Sequence, residues 1–270
     1  MKKNITFLGA GSIAEAILSG IVNAEIIEKE NIFVTNRSNQ QRLEYLEEKY
    51  GVTTVQNKEM AIRSADILIL AMKPYDLHES LQGLKGFIHK GQLIISILAG
   101  ISTDTITKEL EMASPVIRVM PNTSAMIGHS ATALSKGQHA SEEHLRIAEE
   151  LFKTIGTTTL VKEDDMHIVT AIAGSGPAYF YYMVEAMVKA AVESGFDQQT
   201  AKELITQTMK GAGEMLQQSD DSPSTLRKKI TSPNGTTEAG INVLEQNHFQ
   251  RIVMDCVNKA KERSEELGKN

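Results

Sequence analysis

The stretch Ile5-Thr6-Phe7-Leu8-Gly9-Ala10-Gly11-Ser12-Ile13-Ala14 decides the fold. Residues 5–9 read as a short buried strand, and 12–23 read as a helix. Between them lies Gly-x-Gly-x-x-Ala, in the strand–turn–helix setting that a dinucleotide fingerprint requires. Gly9 permits a tight turn, Gly11 lets the backbone approach a pyrophosphate, and Ala14 allows close helix–sheet packing. The helix start offers free N–H groups and a positive dipole end to an anion, so Ala10, Ser12 and Ile13 join the glycines as candidate cofactor contacts. The alternative is a plain tight βα turn.

Working outward, apolar or β-branched runs recur at 32–36, 67–72, 93–98, 116–120, 131–134 and 158–161, with helical patterns at 12–23, 40–50 and 141–155. This alternation predicts a doubly wound α/β domain of the Rossmann type over residues 1–162. From 163 onward strand signal almost vanishes. Helices are expected at 166–194 (interrupted at Gly174-Ser175-Gly176-Pro177), 200–218, 224–230, 237–246 and 249–267, giving an all-α C-terminal domain, 163–270. The charged end, 259–270, is expected to fray. Residues 178–192 are apolar on most sides, with Tyr179, Phe180, Met183, Val184 and Met187, and such a helix must be covered all round. A second copy of the chain is the expected cover, making a homodimer through the C-terminal helices and leaving room for a higher oligomer. The first domain is the alternative cover.

The 270 residues carry 28 Lys plus Arg against 34 Asp plus Glu, a formal charge of −6, which argues against a nucleic-acid partner. No apolar run approaches the ~20 residues of a membrane span. Met1-Lys2-Lys3 leads into a strand broken by glycines rather than a signal peptide. One cysteine, Cys256, forbids an internal disulfide and fits a reducing compartment, so the expected location is the cytoplasm. Cys256 is expected to be buried beside Val253 and Val257. The seven histidines show no metal-ligand spacing, so no metal is expected. Asp164, Asp165 and His167 read as a cap on the long helix.

The second strand ends at Thr35-Asn36-Arg37-Ser38. Enzymes selecting NAD place Asp or Glu there to accept from the ribose 2′-hydroxyl. Arg37 instead suits a 2′-phosphate through its planar fork, helped by Asn36 and Ser38. The expectation is NADPH, with NADH weaker; the alternative for Arg37 is a solvated turn residue.

Several further segments complete a pattern: Ala71-Met72-Lys73-Pro74, residues 96–100, Arg118-Val119-Met120-Pro121-Asn122-Thr123, Ala173-Gly174-Ser175-Gly176-Pro177-Ala178-Tyr179 and Thr231-Ser232-Pro233-Asn234-Gly235-Thr236-Thr237. Together with the glycine loop they resemble the pyrroline-5-carboxylate reductase family over essentially the whole chain. The last segment is the most specific. The resemblance implies NAD(P)H-dependent reduction of the cyclic imine 1-pyrroline-5-carboxylate to proline, and a helical domain that dimerises by interlocking. It implies cofactor contacts at Ala71, Met72, Lys73 and Pro74, mostly through backbone, and at Asn57, whose alternative is an Asx-turn. Lys73 meets cofactor phosphate or ribose, or merely caps the strand end. Ala99 and Gly100 leave room for the nicotinamide ribose, and Pro121 and Asn122 flank the nicotinamide.

A protonated cyclic imine is already electrophilic, so the enzyme needs mainly to hold it in place and bind its carboxylate. No obligatory His or Lys acid follows. A β-hydroxyacid dehydrogenase, the competing enzyme of similar plan, carries a lysine four positions after the last glycine of the interdomain motif. Here Gly176 is followed at that spacing by Phe180. By the resemblance, Gly235 and Thr236 hold the substrate carboxylate and Thr237 hydrogen-bonds the ring nitrogen, with Ser232 as its catalytic neighbour. Thr237 also reads as an N-cap of the next helix. Asp220 aligns with an acidic residue near the imine, or is a solvated loop carboxylate. Other readings are a reductase of another cyclic imino acid and a catalytically idle dinucleotide-binding regulator.

Overall fold

The computed structural model describes residues 1–268. Its elements run β1 (Ile5–Leu8), α1 (Ser12–Asn23), β2 (Ile32–Thr35), α2 (Gln40–Tyr50), β3 (Thr53–Thr54), α3 (Lys58–Arg63), β4 (Ile67–Leu70), α4 (Leu77–Gln82), β5 (Leu93–Ser96), α5 (Thr103–Leu110), β6 (Val116–Met120), β7 (Ser130–Lys136), α6 (Glu142–Lys153), β8 (Gly156–Leu160), α7 (Met166–Val169), α8 (Gly176–Glu193), α9 (Gln198–Gln218), α10 (Pro223–Lys229), α11 (Thr236–Gln246) and α12 (Phe249–Leu267). The strands form one sheet in the order β3-β2-β1-β4-β5-β6-β7-β8. Every pairing is parallel except β6 with β7. By contacts the chain divides into two compact units, Met1–Pro177 with Asn258–Asn270, and Ala178–Val257.

Side chains alternate across the pleat, so each inner strand feeds two cores. Ile5, Phe7, Ile67, Ile69, Leu93 and Ile95 pack on one face with α1, α2 and α6. Leu8, Leu68, Leu70 and Ile94 pack on the other with α3, α4 and α5. Both faces are covered, which is why β4 reads as a continuous apolar run. Ser141 caps α6 in a capping box with His144.

Glu15, in the first turn of α1, is buried beneath α2. Its carboxylate accepts from Arg42 at 2.5 Å, Lys49 at 3.0 Å, Tyr45 at 3.2 Å and Tyr50 at 2.8 Å. Burial alone raises its pKa. The bonds from Arg42, Lys49 and Tyr50 outweigh that and hold it at about 2. A folded-state pKa below the unfolded value stabilises the fold above pH ~4.5, and this contribution is lost as pH falls towards 2. Glu15→Gln is expected to cost about 2–3 kcal/mol at pH 7, with a Tm lowered by roughly 5–10 °C, and to flatten the loss of stability between pH 4.5 and 2. Thermal melts across that range check it, and an unchanged acid limb removes the assignment.

Three expectations need correction. The charged C-terminal stretch does not fray up to residue 268: α12 runs to Leu267, Ser264 is buried and meets His167 Nδ1 at 3.0 Å, and Gly268 lies against Gly100. Residues 269–270 of that stretch lie outside the described residues. Cys256 is exposed, because Ile252, Val253 and Met254 beside it on α12 are left uncovered by the described residues. Asp165 stands at the start of α7 but its side chain caps nothing there. The interruption before α8 is a single π turn, 170–174, closed by the Ser175 N–H donating to the Thr170 carbonyl.

Candidate active site

The sheet order reverses between β1 and β4, and at such a switch point the strand ends leave a crevice. Here it is a cleft of about 670 Å³. Gly9, Ala10, Gly11, Asn36, Arg37, Ala71, Met72 and Lys73 line it, as the sequence predicts, together with Lys58, Tyr75, Asp76, Glu79 and Ser80, which it does not. A second hollow continues along the first unit. Ser12, Ile13, Ala99, Pro121 and Asn122 line it, with Thr170 and Gly174 added.

The glycine loop is built by backbone. The Gly9 N–H donates to the Thr35 carbonyl at 2.9 Å, and Gly9 adopts φ +127°. A Cβ on Gly11 would meet no atom within 4 Å, so its open face looks onto the cleft. No side chain caps α1, which leaves its first N–H groups for a ligand. Arg42 braces the loop: its Nε donates to the Ala10 carbonyl at 2.8 Å while its fork holds Glu15. These features fit a dinucleotide pyrophosphate.

At the end of β2, Asn36 is engaged in its own turn, accepting from the Asn39 N–H at 2.9 Å and donating to the Asn39 carbonyl at 2.6 Å. Ser38 is exposed beside it. The Arg37 fork points across the cleft to Asp76 Oδ1 at 3.5 Å and Glu79 Oε1 at 3.3 Å. Asn57 lies outside both hollows' linings and caps α3, accepting from the Glu59 N–H at 3.1 Å. Lys73 is exposed, its ammonium 5.6 Å from the Tyr75 ring centre, and donating to the Tyr75 hydroxyl raises its pKa. Pro74 opens the turn that leads to α4. Asn122 donates to the Ala173 carbonyl at 3.1 Å and accepts from Ser124 at 3.0 Å, fixing the floor of the second hollow. Gly100 is buried under the end of α12 at φ +81°. Among the described residues no cluster of His, Cys, Asp or Glu is placed to hold a metal, and no helix is long and apolar enough to cross a membrane.

The second unit carries the other predicted residues. The Gly235 N–H donates to the Ser232 carbonyl at 3.0 Å, and Asn234 takes a left-handed φ of 59° with its N–H donating to Glu238 at 2.8 Å. The N-cap of α11 is Gly235, not Thr237, and no side chain caps it. Thr237 is therefore the second residue of the helix, and its hydroxyl is not spent as an N-cap. The start of α11 presents uncapped N–H groups beside the Ser232 and Thr236 side chains, both exposed. Asp220 is exposed in the link between α9 and α10, next to Asp221, which pairs with Lys229.

A parallel sheet with a glycine loop opening into a switch-point cleft defines a Rossmann-type dinucleotide-binding protein. Residues 4–100 match a family model described as NADP oxidoreductase, coenzyme F420-dependent, and 163–267 match one described as pyrroline-5-carboxylate reductase dimerisation. The chain belongs to the pyrroline-5-carboxylate reductase family. It is 48% identical over 265 residues to pyrroline-5-carboxylate reductase 2 of Bacillus subtilis, covering 98% of this chain and 95% of the relative. It is 46% identical to pyrroline-5-carboxylate reductase 1 of Bacillus spizizenii, covering 98% and 90%. Among solved structures, the Coxiella burnetii reductase superposes with a TM-score of 0.91 at 34% identity, covering 100% of both chains. A Plasmodium falciparum pyrroline carboxylate reductase with NADP bound gives 0.90 at 31%, covering 98% of both.

Proposed function

We propose that this chain reduces 1-pyrroline-5-carboxylate to proline with NADPH as hydride donor, as a homodimer in the cytoplasm. The observation that carries the reading is the switch-point cleft, where open Gly11 and the cationic fork of Arg37 meet the needs of a 2′-phosphorylated dinucleotide. The functional division is 1–162 for cofactor and 163–270 for substrate and dimerisation; the second family model begins at residue 163.

When bound, NADPH supplies the hydride. The N–H groups at the start of α1 hold the pyrophosphate, and Arg37 holds the 2′-phosphate. Ala99, Pro121 and Asn122 bound the space for the nicotinamide. On the second unit, the N–H groups of Gly235 and Thr236 at the uncapped start of α11 bind the substrate carboxylate. The Thr237 hydroxyl accepts from the protonated ring nitrogen. That nitrogen already carries its proton before it becomes the amine, so no acid residue of this chain would be consumed.

A hydrogen bond to a charged group contributes roughly 1.5–3 kcal/mol. Thr237→Ala is expected to lower kcat/KM by about ten- to a hundredfold. Steady-state assays with NADPH and pyrroline-5-carboxylate, its six-membered homologue, and a 3-hydroxy acid with NADP⁺ test both the residue and the reaction. Turnover confined to the hydroxy acid would falsify the imine reading; wild-type kcat/KM in the variant removes Thr237 from the site.

The homodimer rests on packing. Ala201 is the one buried apolar residue among the described residues of Ala178–Val257, whereas Phe180, Tyr182, Met187, Leu204, Met215, Val243 and Ile252 are exposed. A helical unit without a core of its own gains one by interlocking with a second copy.

A further inference from the structure

The end of β2 carries no carboxylate, yet the cleft does. Asp76 and Glu79 come from the turn after β4 and from α4, about forty residues further along the chain, and converge on the Arg37 fork. The nitrogens they contact, Nη1 and Nη2, are the donors a bidentate phosphate contact needs. The charged groups lining this cleft are Arg37, Lys58 and Lys73 against Asp76 and Glu79. A 2′-phosphate entering here must displace two carboxylates from the arginine and then remain beside them. A 2′-hydroxyl need do neither, and it can donate to the same carboxylates, the role given at the end of β2 in enzymes that select NAD.

We infer that Asp76 and Glu79 are specificity-determining residues: they act as an internal counter-charge on Arg37 that holds down the preference for NADPH and keeps NADH usable. This rests on the assignment of Arg37 to the 2′ position. Asp76 is the better placed of the two, with its side chain about three-quarters covered, whereas Glu79 is mostly exposed and more open to solvent screening. The order of effects is therefore Asp76 above Glu79. The contacts at 3.3–3.5 Å are long for charge-assisted bonds, as suits a latch that gives way to a better anion.

The test is direct binding, which needs no turnover. Dissociation constants for NADPH, NADH, and the fragments 2′,5′-ADP and 5′-AMP are measured by calorimetry on the intact wild-type protein, Asp76→Asn, Glu79→Gln, the double variant and Arg37→Ala. In the double variant, NADPH and 2′,5′-ADP are expected to bind about tenfold tighter. NADH and 5′-AMP should change less than threefold, or NADH should weaken. The NADPH-to-NADH affinity ratio rises at least about threefold, with Asp76→Asn giving the larger share. A double variant whose ratio stays within twofold of wild type overturns the inference. If Arg37→Ala meanwhile abolishes the preference, the Arg37 assignment survives that failure. If Arg37→Ala also leaves the ratio unchanged, the 2′ group is read elsewhere and both fall. Turnover of the imine, measured separately on the wild type, decides the reductase reading independently of either result.

Discussion

Gly9→Ala is expected to cost the first unit about 3–5 kcal/mol and to weaken NADPH binding at least a hundredfold, while Gly11→Ala leaves stability within about 0.5 kcal/mol and weakens NADPH binding about tenfold or more. The two glycines look alike in the motif but answer to different neighbours. A Cβ on Gly9 falls 2.3 Å from the Ala71 carbonyl oxygen and 2.8 Å from the Met72 nitrogen, at φ +127°. Neither atom belongs to a flexible side chain, so relief requires the ends of β1 and β4 to part, opening the floor of the cleft. Strain at an unfavourable φ adds roughly 1–3 kcal/mol. A Cβ on Gly11 touches no protein atom within 4 Å, so what it obstructs is the ligand. Thermal and urea unfolding with parallel NADPH titration separates the cases. A Gly9→Ala protein with wild-type stability sinks the backbone argument. A Gly11→Ala protein that loses several kcal/mol shows that Gly11 belongs to the scaffold.

The contrast marks where sequence reasoning stops. The strand–loop–helix order around Gly9 is legible because it is local: apolar period, glycine spacing and helix start lie within twenty residues. The fully buried strands β4 and β5 are legible for the same reason, as continuous apolar runs. Asp76 and Glu79 are not, because their approach to Arg37 follows from the placement of β4 beside β1, a pairing that no local pattern encodes. The nearest signal was a carboxylate pair spaced three apart just past Ala71–Pro74. Cys256 shows the opposite error. Its apolar neighbours on α12 read as core, but among the described residues nothing covers them. Periodicity reports that a face wants cover and is silent on which molecule provides it. Asn57 was similarly ambiguous, and in the structure its side chain caps α3.

Arg118 is the case in which burial, not spacing, sets the expected effect. It sits in the middle of β6 with a side chain 1% exposed, among Ile117, Val119 and Met120. Its Nη1 lies 3.6 Å from Glu163, while Nε and Nη2 have no hydrogen-bond partner among the described residues. Burial pushes its pKa below the usual arginine value, against the opposing pull of Glu163. Glu163 is held in turn by Thr103, whose N–H donates to it at 2.7 Å and whose hydroxyl donates to its other oxygen. Removing one member of a buried pair leaves a charge with neither counter-ion nor water, at about 3–5 kcal/mol, whereas replacing both members with apolar groups is often near neutral. Glu163→Ala is therefore expected to destabilise the first unit by about 3–5 kcal/mol, and Arg118→Met in the same chain to restore most of that loss. Urea unfolding of the wild type, both single variants and the double variant measures the coupling. If the two single losses simply add in the double variant, the pair is not coupled and the loss at Glu163 comes from Thr103 alone. If Glu163→Ala costs less than about 1 kcal/mol, water reaches Arg118 and the position is not dry.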